Sequence, residues 1–104
     1  MLKSIKKIGG KNMNDLQVFR SSTTAEQEIV FEFPDNGIEF LIKNFTNSDI
    51  FVAGRQGTEK SDRILIPANS WQMITPFPYL YTNTISVIAT ETSEKGVEVQ
   101  CLKC

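Results

Sequence analysis

Histidine is absent from the 104 residues of this chain. Its absence removes the commonest general base, the Ser-His-Asp and Cys-His nucleophile systems, and the commonest zinc ligand. Cysteine occurs twice, at Cys101 and Cys104, too few and too late in the chain for a disulfide framework. A reducing, intracellular origin is therefore expected. No apolar run approaches the ~20 residues a membrane helix needs. The basic N-terminus lacks the hydrophobic stretch and small-residue cleavage site of a secretory signal. Charge is nearly balanced at a net −1, which argues against a surface that neutralises many phosphates. No membrane, nucleic-acid partner or cofactor is expected, and neither an internal repeat nor a second domain is visible.

What remains is ordinary for a folded soluble domain: 40% apolar and 22% charged residues. A chain of this length hides roughly two thirds of its unfolded surface in one core. Two alternating runs, Glu28–Phe33 and Ile38–Lys43, flank the turn Pro34-Asp35-Asn36-Gly37. Closed as a hairpin, they set Phe33 against Ile38, Phe31 against Phe40 and Ile29 against Ile42, all on one face. A second hairpin is expected from Arg63–Ile66 and Trp71–Ile74 across Pro67–Ser70, pairing Ile66 with Trp71 and Ile64 with Met73. A third joins Thr84–Ala89 to Val97–Leu102. Leu16, Val18 and Phe19 suggest a first short strand, and Ile50–Ala53 another. Thr24 and Gln27 have the spacing of a capping box around one helical turn. Short strands at this spacing predict an all-β, two-sheet antiparallel sandwich of about seven to eight strands, immunoglobulin-like or jelly-roll-like. Its expected core includes Phe31, Phe40, Ile42, Ile64, Ile66, Trp71, Val87 and Val99.

Residues 1–13 read as a flexible or extraneous extension, and 14–104 as a single sandwich domain. Lys3, Lys6, Lys7 and Lys11 meet no acid before Asp15, and Leu2, Ile5 and Ile8 recur every third residue. A basic arm and a plain tail are both consistent with that pattern. Codons for Ile8–Met13 can also spell a ribosome-binding stretch, which would place the natural start at Met13.

The chemistry-bearing groups are few. Cys101-x-x-Cys104 is half of a tetrahedral zinc site, and a shared metal between protomers is one reading. In a continuing strand the two sulfurs point to opposite faces, too far apart for a disulfide. The plainer expectation has Cys101 as a small buried hydrophobe. Glu32 and Glu39 oppose each other in the first expected hairpin, at the short end of a glycosidase carboxylate spacing, but without a cleft around them. Arg55–Arg63 lacks the Gly-Lys-Ser/Thr spacing of a phosphate loop. Asn44-Phe45-Thr46 matches a glycosylation acceptor, without a signal peptide to give it weight. Val30 and Leu41, beside those acids on the outward face, suggest a surface covered by another subunit. Trp71, Phe77, Tyr79 and Tyr81 form the densest aromatic group. Pro76 and Pro78 bar that stretch from an interior strand. Contact residues are expected at Val30, Leu41, Phe77, Tyr79 and Tyr81; the alternative is a carbohydrate-binding module stacking sugars on Trp71, Tyr79 and Tyr81.

The run Ile38–Thr46 leading to Ile50–Gly54 resembles the strand, Asn, polar turn, strand opening of small virion β-sandwich proteins. Ile64–Ser70 and Thr84–Ala89 are similar to their later hairpins. Such proteins are head, neck or tail accessory subunits of tailed bacteriophages and prophages. The likeness spans most of residues 28–102 and is one of strands and turns, and the terminal Cys-x-x-Cys departs from it. It implies a non-enzymatic, homo-oligomeric structural or adaptor subunit whose partners are itself and other virion proteins. It would reside in the virion, or in the bacterial cytoplasm during assembly.

Overall fold

Side-chain alternation becomes strand throughout the computed structural model, which describes residues 2–6, 17–75 and 81–103. The described strands are β1 (Leu2–Lys6), β2 (Gln17–Thr23), β3 (Glu28–Gly37), β4 (Glu39–Asn44), β5 (Ile50–Ala53), β6 (Ile64–Ile66), β7 (Trp71–Ile74), β8 (Thr82–Ala89) and β9 (Ser93–Lys103). They make a five-stranded sheet, β1-β3-β8-β5-β6, and a four-stranded sheet, β2-β9-β4-β7.

The pairing follows one rule. Counting outward from the β5–β6 connection, β5 pairs with β6, β4 with β7, β3 with β8 and β2 with β9, all antiparallel. This long ribbon then folds over so that β9 meets β4 and β8 meets β5. That is the strand order of a jelly roll, which selects between the two sandwich types expected from sequence. β1 adds to β3 in parallel, Leu2 beside Glu28 through Lys6 beside Glu32. Thus residues 2–6, expected as part of a flexible extension, form an edge strand of the larger sheet.

All three expected hairpins are instead corners that carry the chain from one sheet to the other. β3 and β4, β6 and β7, and β8 and β9 lie in opposite sheets. β3 runs through Gly37 and β4 starts at Glu39, so Ile38 alone separates two strands that do not pair. Phe31 lies beside Ile85 and Ile5 within its sheet, while Phe40 lies beside Cys101 and Ile74 in the other. The expected Glu32–Glu39 opposition is therefore corrected: Glu32 is registered with Lys6 and Thr84, and Glu39 with Lys103. The Thr24–Gln27 turn closes with a bond from the Gln27 N–H to the Thr24 carbonyl and does not extend to a helix.

The core forms where the two inward faces meet. Phe19 of the four-stranded sheet stacks against Phe31 and Phe33 of the other at 5.7 and 4.8 Å between centroids, and Phe33 reaches Phe40 at 5.6 Å. Each such ring pair adds about 0.5–1.5 kcal/mol beyond its burial. Ile29, Ile42, Ile50, Val52, Ile66, Ile85, Val87, Val97 and Val99 complete a fully buried layer. Of the expected core, Ile64 and Trp71 are exceptions, at 37% and 66% exposed. Trp71 pairs with Lys43, which turns its ring outward; Ile66 pairs with Ile50. Ile64 sits at the open end of the shortest strand, beside Val52.

Two polar devices fix the corners. Asn44 is buried, and its amide donates to the carbonyls of Ser48, Ile66 and Pro67 at 2.8–3.1 Å. Its Oδ1 accepts from the backbone N–H and the hydroxyl of Thr46. One side chain thereby clamps the β4–β5 and β6–β7 corners, and no nitrogen is left open to glycosylation. Arg63, with a fully buried side chain, anchors the long β5–β6 loop. It donates to the carbonyls of Thr58 (2.9 Å) and Ser86 (3.1 Å) and to Glu28 Oε2 (3.1 Å).

Candidate functional site

The outward face of the four-stranded sheet has a regular grid, because register fixes which side chains lie beside one another. One row across the strands reads Arg20, Glu98, Lys43, Trp71; the next reads Val18, Gln100, Leu41, Met73. The first row is an ion-pair ladder. Glu98 lies at its centre with a side chain only 5% exposed. It accepts from Arg20 Nε at 2.6 Å and from Gln100 Nε2 at 2.6 Å, and Lys43 Nζ stands 3.6 Å away. Burial alone would push the Glu98 carboxyl up. The hydrogen bonds from Arg20 and Gln100, with the charges of Lys43 and Arg20, outweigh it and hold the group below the ordinary carboxylate range. The row is thus charged at neutral pH, with two cations about one carboxylate and one positive charge in excess.

A second, half-buried carboxylate, Glu28, sits on the other sheet. Desolvation raises the Glu28 pKa, but the Gly57 N–H, the Ser86 hydroxyl and Arg63 together bring it below normal. Its Oε2 accepts from Ser86 Oγ at 2.6 Å and from the Gly57 N–H at 2.8 Å. The Gly57 and Arg63 bonds tie the loop over residues 54–63 to β3 and β8, and Ser86 ties those two strands to each other, so the cluster is structural.

Four of the eight exposed large hydrophobics among the described residues lie on the last strand of each sheet; Leu2, Ile38, Phe45 and Tyr81 lie elsewhere. β6 ends the five-stranded sheet and β7 ends the four-stranded sheet, and the corner Pro67–Ser70 joins them. Among the described residues, Ile64, Leu65, Trp71 and Met73 are all exposed large hydrophobics on these two strands. Leu41, half-buried, continues the patch inward from Met73, its neighbour in register. β6 and β7 each have one sheet neighbour, so their outer backbone edges are unpaired by any described strand. Unlike the ion-pair row, this side contains no charged residue in either strand.

The expected contact residues fare differently from one another. Leu41 lies on the patch. Val30 is 2% exposed, buried within its own chain and so not on the surface assigned to it. Tyr81, 57% exposed, immediately precedes β8 of the five-stranded sheet. Phe77 and Tyr79 lie outside the described residues. Of the proposed sugar-stacking set, Trp71 belongs to the four-stranded sheet and Tyr81 adjoins the other, and Tyr79 is again outside. Leu65 and Met73 are not among the contact residues expected from sequence: a hairpin of their strands turns Met73 inward opposite Ile64, and no sequence signal marks a sheet's last strand. Cys101 is buried, as its reading as a small buried hydrophobe expects, and is disulfide-bonded; Cys104 lies outside the described residues. Among the described residues no cluster of acidic, histidine or cysteine side chains can hold a metal.

No protein-family model matches the chain, and neither a curated protein nor a solved structure does.

Proposed function

We propose that this protein is a non-enzymatic structural subunit that acts through self-association, of the kind found as head, neck or tail accessory proteins in tailed phages and prophages. Its partners are further copies of itself and other virion proteins. One observation carries the reading: on the β6–β7 side both sheets end in a strand with one neighbour, β6 exposing Ile64 and Leu65 and β7 exposing Trp71 and Met73 on the outer face of the other sheet. Side chains of core type gathered at a sheet edge invite pairing with another chain. Tryptophan is also the residue most enriched among those that dominate binding energy. Charge and proline, two of the devices that blunt such edges in monomers, are absent from both β6 and β7, which are short strands. A jelly roll is also an architecture that recurs in viral capsid subunits, which agrees with the strand-and-turn resemblance. The fold alone does not decide function; the exposed edge is what supports self-association.

Sedimentation velocity over a concentration series tests the proposal. The wild-type chain is expected as an oligomer, and the double variant Leu65→Ser, Trp71→Ser as a monomer with an unchanged far-UV circular dichroism spectrum. A wild-type chain that stays monomeric throughout, or a variant that associates equally well, refutes it.

A further inference from the structure

A cleft of about 420 Å³ opens at the corner end of the four-stranded sheet, lined by Arg20, Phe45, Asn69, Lys95 and Glu98. Backbone bonds between its loops hold its walls. The Phe45 N–H donates to the Gly96 carbonyl at 2.9 Å, the Asn69 N–H to the Thr46 carbonyl at 3.2 Å, and the Asn44 N–H to the Ser70 carbonyl at 2.8 Å. At Gly96, φ is +58° and a Cβ would stand 1.8 Å from the Ser21 carbonyl oxygen, so the start of β9, which bears Lys95, lies directly on β2. A cleft with fixed walls binds without the cost of ordering them.

Its polar groups are left with spare capacity. Glu98 engages Arg20 through Nε, which orients the guanidinium and leaves both terminal nitrogens without a partner among the described residues. Arg20's side chain is 78% exposed. Lys95 forms no ion pair there either. Phe45 exposes its ring, and Asn69 spends one amide hydrogen on Asn47 Oδ1 at 3.4 Å. Arg20 and Lys95 against Glu98 leave the lining one positive charge in excess, and Lys43, 3.6 Å from Glu98, adds a second, so the cleft favours an anionic ligand.

A fork of guanidinium nitrogens fits a carboxylate in a bidentate manner. An aromatic face takes the C–H side of a pyranose, and an amide meets its hydroxyls. We propose that this cleft binds an acidic oligosaccharide of the uronic-acid type, its carboxylate on Arg20 and Lys95 and its ring on Phe45. The site meets the β6–β7 side only at Asn69 of the connecting corner, and the proposal does not depend on self-association. It also differs from the Trp71, Tyr79 and Tyr81 set.

The test is a ¹⁵N-correlation NMR titration of the full chain with tetragalacturonate, run beside maltotetraose and inorganic phosphate. The uronate is expected to give saturable shifts at the amides of Arg20, Phe45, Asn69, Lys95 and Gly96. Lys95→Gln and Phe45→Ala are expected to weaken it about tenfold each, the scale of losing one charge-assisted hydrogen bond or one packed ring, while their spectra stay dispersed. Absence of saturable shifts, equal binding of maltotetraose, or undiminished binding by both variants overturns the proposal. Equal binding of phosphate overturns it too, because the cleft would then be reading charge alone.

Discussion

The phenylalanine interior and the β6–β7 edge are built from the same kind of residue and meet opposite fates. Phe19, Phe31, Phe33 and Phe40 interlock across the two sheets and are almost fully hidden. Ile64, Leu65, Trp71 and Met73 are as apolar, yet each stands at least one third in water. The interior pairs residues on strands that have neighbours on both sides or face a full opposite sheet. The edge belongs to two short strands with one neighbour each. The contrast separates apolar residues that stabilise the monomer from apolar residues left available to a second chain.

Substitution at each place should break the two regions apart. Phe31→Ala is expected to cost about 3–5 kcal/mol in chemical denaturation, the range for emptying a fully buried ring. Glu28→Ala should cost a similar amount, about 3–5 kcal/mol, by leaving the buried Arg63 guanidinium unpaired. Its effect is expected to concentrate in the loop over residues 54–63, as faster amide exchange there. The exposed pair Lys60–Glu26, 2.9 Å apart, provides the control: Lys60→Ala should cost no more than about 1 kcal/mol.

Acid sharpens the comparison from the charged side. Glu28 and Glu98 both titrate below their unfolded values in the folded state. Each therefore contributes stability that is complete above its unfolded pKa and disappears as pH falls through its folded pKa. Thermal melts from neutral into acid pH should show a declining Tm, with a shallower decline in Glu98→Gln than in wild type. The smallest expected effect is at the edge: Trp71→Ala should change monomer stability by within about 0.5 kcal/mol while raising the dissociation constant of self-association.

Period-two alternation made the faces of the sandwich legible. Ile29, Phe31, Phe33, Phe40, Ile42, Val87 and Val99 all point inward as their spacing requires. It could not reveal which strand lies beside which. A hairpin partner and a strand across the sandwich both present an inward face, so Phe31 and Phe40 satisfy the alternation equally in either arrangement. Short polar links such as Pro34–Gly37 read as turns within a sheet, whereas here they turn the chain from one sheet to the other. Trp71 was misplaced for that reason: pairing it with Ile66 turns it inward, and its true neighbour Lys43 turns it out. The cleft was illegible because Arg20, Phe45, Asn69 and Lys95 come from four separate stretches that only the folded ribbon brings together. The Asn44-to-Ser48 turn was legible as a pattern, but its buried clamp on Ile66 and Pro67 depends on a corner some twenty residues later, 22 and 23 along the chain.

Trp71 is the chain's single tryptophan, so its fluorescence reports the central surface without labelling. Acrylamide quenching of that emission, measured from dilute to concentrated protein, is the most direct test. Efficient quenching in the dilute limit, giving way to protection and a blue-shifted emission as concentration rises, is the result expected of an edge that is open in the monomer and covered in the assembly. Emission that stays red and freely quenched at every concentration would contradict a role for the β6–β7 side in self-association.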